Sequence, residues 1–215
     1  DAVIRGLAPD GGLYYPTEIP LLKQEFLKSL KNLKLHEIGN ILIEQYVGGS
    51  VQKEVLKSMM KEALNFEIPL VPVEEDIYAL ELFHGPTLAF KDVGARVTAR
   101  LMAHFASDKK LTILVATSGD TGSAVANGFL GIEGIDVVVL YPKGMVSEIQ
   151  EKQFTTLGQN ITALEVKGTF DDCQALVKQA FSDSEIRQKI NISSANSISI
   201  ARFLPQMVYY FYAFS

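Results

Sequence analysis

Cysteine is nearly absent from the 215-residue sequence: Cys173 stands alone, which excludes any internal disulfide and favours a reducing compartment, the cytoplasm. Basic side chains are in deficit, 20 against 25 acidic ones, and no basic block stands out. A chain of net charge −5 has no footing for counterion-release binding, so nucleic acid is excluded as a partner. No apolar run is long enough to span a bilayer; the most apolar stretch, Phe203 to Phe214, is broken by Pro205 and Gln206. Internal repeats and low-complexity tracts are also missing. What remains is ordinary globular composition, 47% hydrophobic and 21% charged, with ample material for a core.

The two ends carry an expectation of their own. The sequence opens on Asp1 without a positively charged, apolar leader, and closes on MVYYFYAFS, an apolar helical pattern with neither cap nor polar tail. The expectation is an excerpt of a longer protein. Met207, Val208, Tyr209, Tyr210 and Phe211 should then pack on an absent remainder, or let the chain self-associate.

Residues 1–76 read as mostly helical after a turn-rich PDGGLYYP opening. Leu35, Ile38, Leu42, Ile43 and Tyr46 fall on one face at helical spacing, as do Val51, Val55, Met59 and Ala63. From residue 77 the pattern changes. IYALELF, LTILVATS, DVVVLYP and NITALEV are short β-branched runs, separated by helical segments of roughly a dozen residues. Alternating strands and helices predict a three-layer α/β domain over residues 77–202: a parallel sheet with helices on both faces. Residues 203–215 read as the start of a further domain. In such sheets ligands bind beyond the carboxyl ends of the strands.

Three turns at such ends carry possible chemistry. In ELFHGPTLAFKDVGAR, Lys91 follows the apolar Leu88-Ala89-Phe90 at a helix start. Partial desolvation there would free its amine as a nucleophile for Schiff-base chemistry, whereas a solvated surface cation is the plain alternative. His84 reads as a structural hydrogen bonder. In VATSGDTGSAVANGF, residues Thr117, Ser118, Gly119, Asp120, Thr121 and Gly122 lead into a helix. Their hydroxyls and free N–H groups suit a carboxylate or phosphate; a well-capped helix is the alternative. The turn is neither a Walker A loop nor a dinucleotide fingerprint. In ISSANSISIARFLPQMVYYF, a helix starting near Ile198 would let the Arg202 guanidinium reach back to an anion held by Asn196 and Ser197. A surface arginine beside an N-cap explains it equally well.

Together FHGPTLAFKD, ATSGDTG, LYPKG…S…QEKQFTTLG and SANSISIARFLPQ closely resemble the threonine synthases, pyridoxal-phosphate enzymes of the fold-type II, tryptophan synthase β-like group. GGLYYPTEIP is similar to that family's N-terminus. The resemblance implies that Lys91 forms the Schiff base with pyridoxal 5'-phosphate and that Asp120 lies beside the cofactor's 3-hydroxyl. It implies that Thr117, Ser118 and Gly119 hold the substrate's α-carboxylate. Thr121, Asn196, Ser197 and Arg202 match positions that bind the phosphate of O-phospho-L-homoserine. The implied reaction eliminates phosphate from Cγ and adds water at Cβ, giving L-threonine. Dehydratase and cysteine synthase relatives carry Lys-Asp-Arg where Lys91-Asp92 is followed here by Val93, which points away from them. A related phospholyase and a catalytically silent metabolite-binding homologue are the alternatives. The family's glycine-rich loop for the cofactor phosphate has no counterpart after residue 202, so the 215-residue chain is expected to be inactive alone.

Overall fold

The computed structural model describes residues 2–6, 8, 10, 12–106 and 110–215. Pro9 and Gly11 of the turn-rich opening therefore lie outside the described residues. The chain begins with α1 (Ala2–Arg5), α2 (Gln24–Ser29), α3 (Leu35–Val47) and α4 (Lys53–Ala63). The first apolar stripe behaves as the spacing predicts: Ile38 is fully buried, and the Glu37 carboxylate accepts the Lys34 N–H at 2.8 Å at the start of α3. In α4 the buried face is instead Leu56, Met60 and Ala63, and the expected Val55 and Met59 lie half-buried beside it.

Next come β1 (Leu70–Glu74) and β2 (Ile77–Leu80), which pair with each other, antiparallel, as a separate two-stranded hairpin. This corrects the reading of IYALELF as a strand of the parallel sheet. The tight turn at Asp76, whose φ is +60°, folds Ile77 back on Glu74. Ile77 and Tyr78 remain more than half exposed, so the run is not a buried strand. The hairpin also straddles the position where the helical segment was expected to end.

The main unit follows: α5 (Lys91–Ala106), β3 (Leu111–Ala116), α6 (Asp120–Phe129), β4 (Ile135–Pro142), α7 (Glu148–Thr155), β5 (Ile161–Val166), α8 (Phe170–Ser182), α9 (Ser184–Lys189) and β6 (Asn191–Ser193). Its four strands are all parallel, in the order β5-β4-β3-β6, with β3 and β4 in register from Leu111↔Ile135 to Ala116↔Leu140. Right-handed crossovers place α6 and α7, which step outward from β3 to β5, on one face. The return from β5 to β6 puts α8 on the other, where it packs against β3 and β4. The chain ends in α10 (Ile200–Phe203), a 3-10 turn, and α11 (Met207–Phe214).

Helix α5 is the wall shared by two cores. Val93, Val97 and Leu101 face the N-terminal helices, while Ala99 and Met102 face β3, β4 and the buried Phe129 and Phe154. Helix α11 packs on α3: Val208 and Tyr209 are buried within the chain, contrary to the expectation that they await a partner. Tyr210 and Phe214, each 77% exposed, are the part of that helix left open.

Candidate active site

Strands β3 and β6 are neighbours, and their exits run to opposite sides: β3 through α6 toward β4, β6 toward α10 against α5. A crevice at such a switch point is where parallel sheets bind ligands. The loops 117–119 and 194–199 follow the carboxyl ends of these two strands, and Lys91, at the N-terminus of α5, reaches Asp120 just past the first of them.

The backbone ahead of Lys91 is held from several directions. Asp92, 1% exposed, accepts the Thr87 backbone N–H at 2.9 Å and its hydroxyl at 2.6 Å, closing residues 87–92 into a clasp. Leu88 within it adopts φ +58°, a strained value for a leucine. Gln153 of α7 donates to the Thr87 carbonyl at 3.1 Å, and the Tyr209 hydroxyl of α11 donates to the Phe90 carbonyl. With its backbone so fixed, Lys91 extends its amine over the Phe90 ring, 5.3 Å from the centroid, to Asp120 Oδ2 at 3.3 Å. The lysine side chain is 22% exposed and the aspartate 39%: accessible, yet partly dry.

Burial raises the Asp92 carboxyl above its ordinary 3.8, against the lowering effect of the Thr87 hydrogen bonds. The folded chain therefore holds this proton more readily than the unfolded one. Its contribution to stability is complete below about pH 4 and is lost as pH rises through the elevated folded value. Asp92→Asn keeps an acceptor for the Thr87 N–H and deletes the charge. Urea titrations from about pH 4 to neutral should show a shallower loss of stability in this variant. Equal slopes would dismiss Asp92 as the source.

The second turn departs from expectation at Thr117. Its hydroxyl, fully buried, accepts the N–H groups of Gly119 at 3.0 Å and Gly122 at 2.8 Å and donates to the Gly119 carbonyl at 3.0 Å. All its hydrogen-bonding capacity is consumed, so Thr117 shapes the loop and does not contact a substrate carboxylate. Thr117→Val should therefore cost about 2 kcal/mol in unfolding free energy, read by urea denaturation, because two N–H groups lose their acceptor. Ser118 is exposed beside it, Thr121 is half-buried, and Gly119 rather than Asp120 is the N-cap of α6.

The third turn also differs. Helix α10 begins at Ile200 behind Ser199, which places Arg202 within its first turn. The guanidinium does reach back, but to the Ala195 carbonyl at 2.6 Å, and the side chain is fully buried with Nε and Nη2 unpartnered. Burial lowers it to about 10. Arg202 is therefore an interior brace for the loop rather than a group on an open rim. Asn196 and Ser197 are exposed; the Asn196 carboxamide oxygen accepts the Ile198 N–H at 3.2 Å.

Thr87, Gln150, Gln153 and Tyr209 had no role assigned from sequence. The one available signal was the QEKQ spacing, which puts Gln150 and Gln153 on one face of α7.

An accessible amine, a carboxylate beside it and a helix start that exposes Ser118 fit an aldehyde cofactor that carries phosphate. Residues 64–209 match the family of pyridoxal-phosphate dependent enzymes, and the chain belongs to that family. Its cofactor is pyridoxal phosphate. Residues 1–64 match a second model, described as the threonine synthase N terminus. The chain is 52% identical to the threonine synthase of Haemophilus influenzae, covering 99% of this chain and 49% of that protein. It is 45% identical to that of Escherichia coli, covering 99% and 50%, and superimposes on its crystal structure with a TM-score of 0.90. A pyridoxal-phosphate-bound threonine synthase from Brucella melitensis gives 0.93 at 41% identity, over 99% of this chain and 47% of that one. The chain thus spans about half the length of the curated relatives it matches, as their N-terminal portion.

Proposed function

We propose that the protein to which this chain belongs is a threonine synthase, a lyase that converts O-phospho-L-homoserine and water into L-threonine and phosphate. The observation that carries the reading is the Lys91 amine, partly buried and 3.3 Å from the Asp120 carboxylate that opens α6. When bound, the cofactor supplies an electron sink for the negative charge that develops beside the substrate's amino group. Lys91 Nζ anchors the cofactor and, once released, moves protons at the substrate carbons from a partly desolvated position. Asp120 would hold the cofactor's hydroxyl, and it keeps the amine oriented.

Substrate groups fall to the exposed donors. Ser118, exposed on the turn that Gly119 caps into α6, receives the α-carboxylate at the start of that helix. Thr121, Asn196 and Ser197 receive the phosphate, and Arg202 adds positive charge from beneath while holding the Ala195 carbonyl. Such a preorganised set matters most as phosphate leaves. No helix among the described residues is long and apolar enough to cross a membrane. With one buried thiol, Cys173, a cytoplasmic biosynthetic role is the reading that fits.

The test is to supply the whole protein with pyridoxal phosphate and O-phospho-L-homoserine and to measure phosphate and threonine together. Equal amounts of both support a threonine synthase. Phosphate with ammonia and a keto acid, without threonine, identifies a related phospholyase. Neither product identifies a catalytically silent homologue.

A further inference from the structure

We propose that Gln150 is a positioning residue for Lys91, acting through Asp120. The side chain of Gln150 comes from the first turn of α7 and lies flat against the turn that follows β3. Its Nε2 donates to Asp120 Oδ1, its Oε1 accepts from the Ser147 hydroxyl at 3.0 Å, and its own carbonyl accepts from Ser123 at 3.2 Å. Gly119, at φ +149°, makes room for it: a Cβ there would stand 2.7 Å from the Gln150 Cδ. The amide is thus held at both ends and against one face. Its orientation is set by Ser147, and it sets that of Asp120 in turn.

A carboxylate offers two oxygens. With Oδ1 occupied by Gln150, only Oδ2 is left for the lysine, and it meets Nζ at 3.3 Å, well beyond the length of a close charge-assisted pair. Lys91 is tethered loosely, so its amine stays releasable. Without the amide donor, the Asp120 carboxylate is free to rotate and turn both oxygens on Nζ, and the closer pair would hold the proton on the lysine. The other ionisable groups nearby are committed elsewhere. Asp92 of α5 turns into the Thr87 clasp, Tyr209 of α11 gives its hydroxyl to Phe90, and Arg202 of α10 faces Ala195. Asp120 is the carboxylate in contact with the amine, and Gln150 decides how much of it the amine receives.

The experiment is competitive trace labelling with acetic anhydride over a pH series, on the whole protein freed of cofactor. The Lys91 peptide is quantified by mass spectrometry, so the readout is independent of turnover and of which substrate the enzyme takes. Gln150→Met keeps the volume and removes the amide; it should raise the pH midpoint of Lys91 labelling by about half a unit. Gln150→Glu adds a second negative charge and should raise it by about one unit or more. An unchanged or lowered midpoint in Gln150→Met overturns the proposal. That holds even if Gln150→Glu shifts, since added charge alone would explain the latter. Thermal melts accompany both variants. If Gln150→Met fails to melt cooperatively, Ser147→Ala, which removes the hydroxyl that orients the amide, takes its place. An upward shift in that variant supports the proposal, and none overturns it.

Discussion

Lys91→Ala is expected to lower kcat for threonine formation by about a thousandfold or more while leaving the protein folded. The two halves of this expectation rest on different physics. Toward stability the side chain offers one ion pair with a 39%-exposed carboxylate and one cation–π contact to a Phe90 that is itself 42% exposed. Each is worth under about 1 kcal/mol at such exposure, and alanine is the better helix former at the start of α5. Toward catalysis no neighbour replaces the amine, because the other groups lining the turns are hydroxyls, amides and a carboxylate, none of which condenses with an aldehyde. The measurement pairs initial-rate kinetics with a thermal melt. A variant that keeps more than about a tenth of the wild-type kcat would end the assignment of Lys91 as the cofactor lysine. Loss of the cooperative melt would show instead that the lysine is structural.

The fold was legible wherever local pattern and tertiary burial agree. Helix α3, Leu35–Val47, covers the apolar-periodic run read from Leu35 to Tyr46. Strands β3 and β4 are buried on both faces, so their unbroken β-branched runs were unambiguous. The hairpin was not legible. Pro72 within LVPVE argues against a strand, and β-branched character in IYAL does not reveal which sheet a strand joins. The site divides along the same line. The turns that carry Lys91, Ser118 to Thr121 and Asn196 to Ser197 were legible as turns, because helix starts after extended runs announce themselves in the sequence. The saturation of Thr117, the burial of Arg202 and the grip of Tyr209 on Phe90 were not. These depend on how elements far apart in sequence meet: Tyr209 and Phe90 are separated by 119 positions.

That dependence yields the second large effect, at a residue outside the site. Gly94 lies one turn into α5, fully covered by α10, and a Cβ built there would stand 2.5 Å from the Arg202 carbonyl oxygen. The obstacle is backbone on both sides, so no rotamer change relieves it. Helix α10 would have to lift from α5, stretching the hydrogen bond from the Thr98 hydroxyl to the Ala201 carbonyl, now 2.7 Å. Gly94→Ala should therefore destabilise the chain by about 3 kcal/mol in urea denaturation, overriding the roughly 1 kcal/mol that alanine normally gains over glycine inside a helix. The functional consequence follows from the same contact. Arg202 ties α10 to Ala195, and the Asn196–Ser197 turn lies between them, so a lifted α10 carries with it the turn proposed above to receive phosphate. At temperatures where the variant remains folded, KM for O-phospho-L-homoserine should rise about tenfold, with kcat less affected. If Gly94→Ala were as stable as the parent, the close seating of α10 on α5 would be wrong. The proposed role of the 194–199 turn, which α10 holds in place through Arg202, would then go with it.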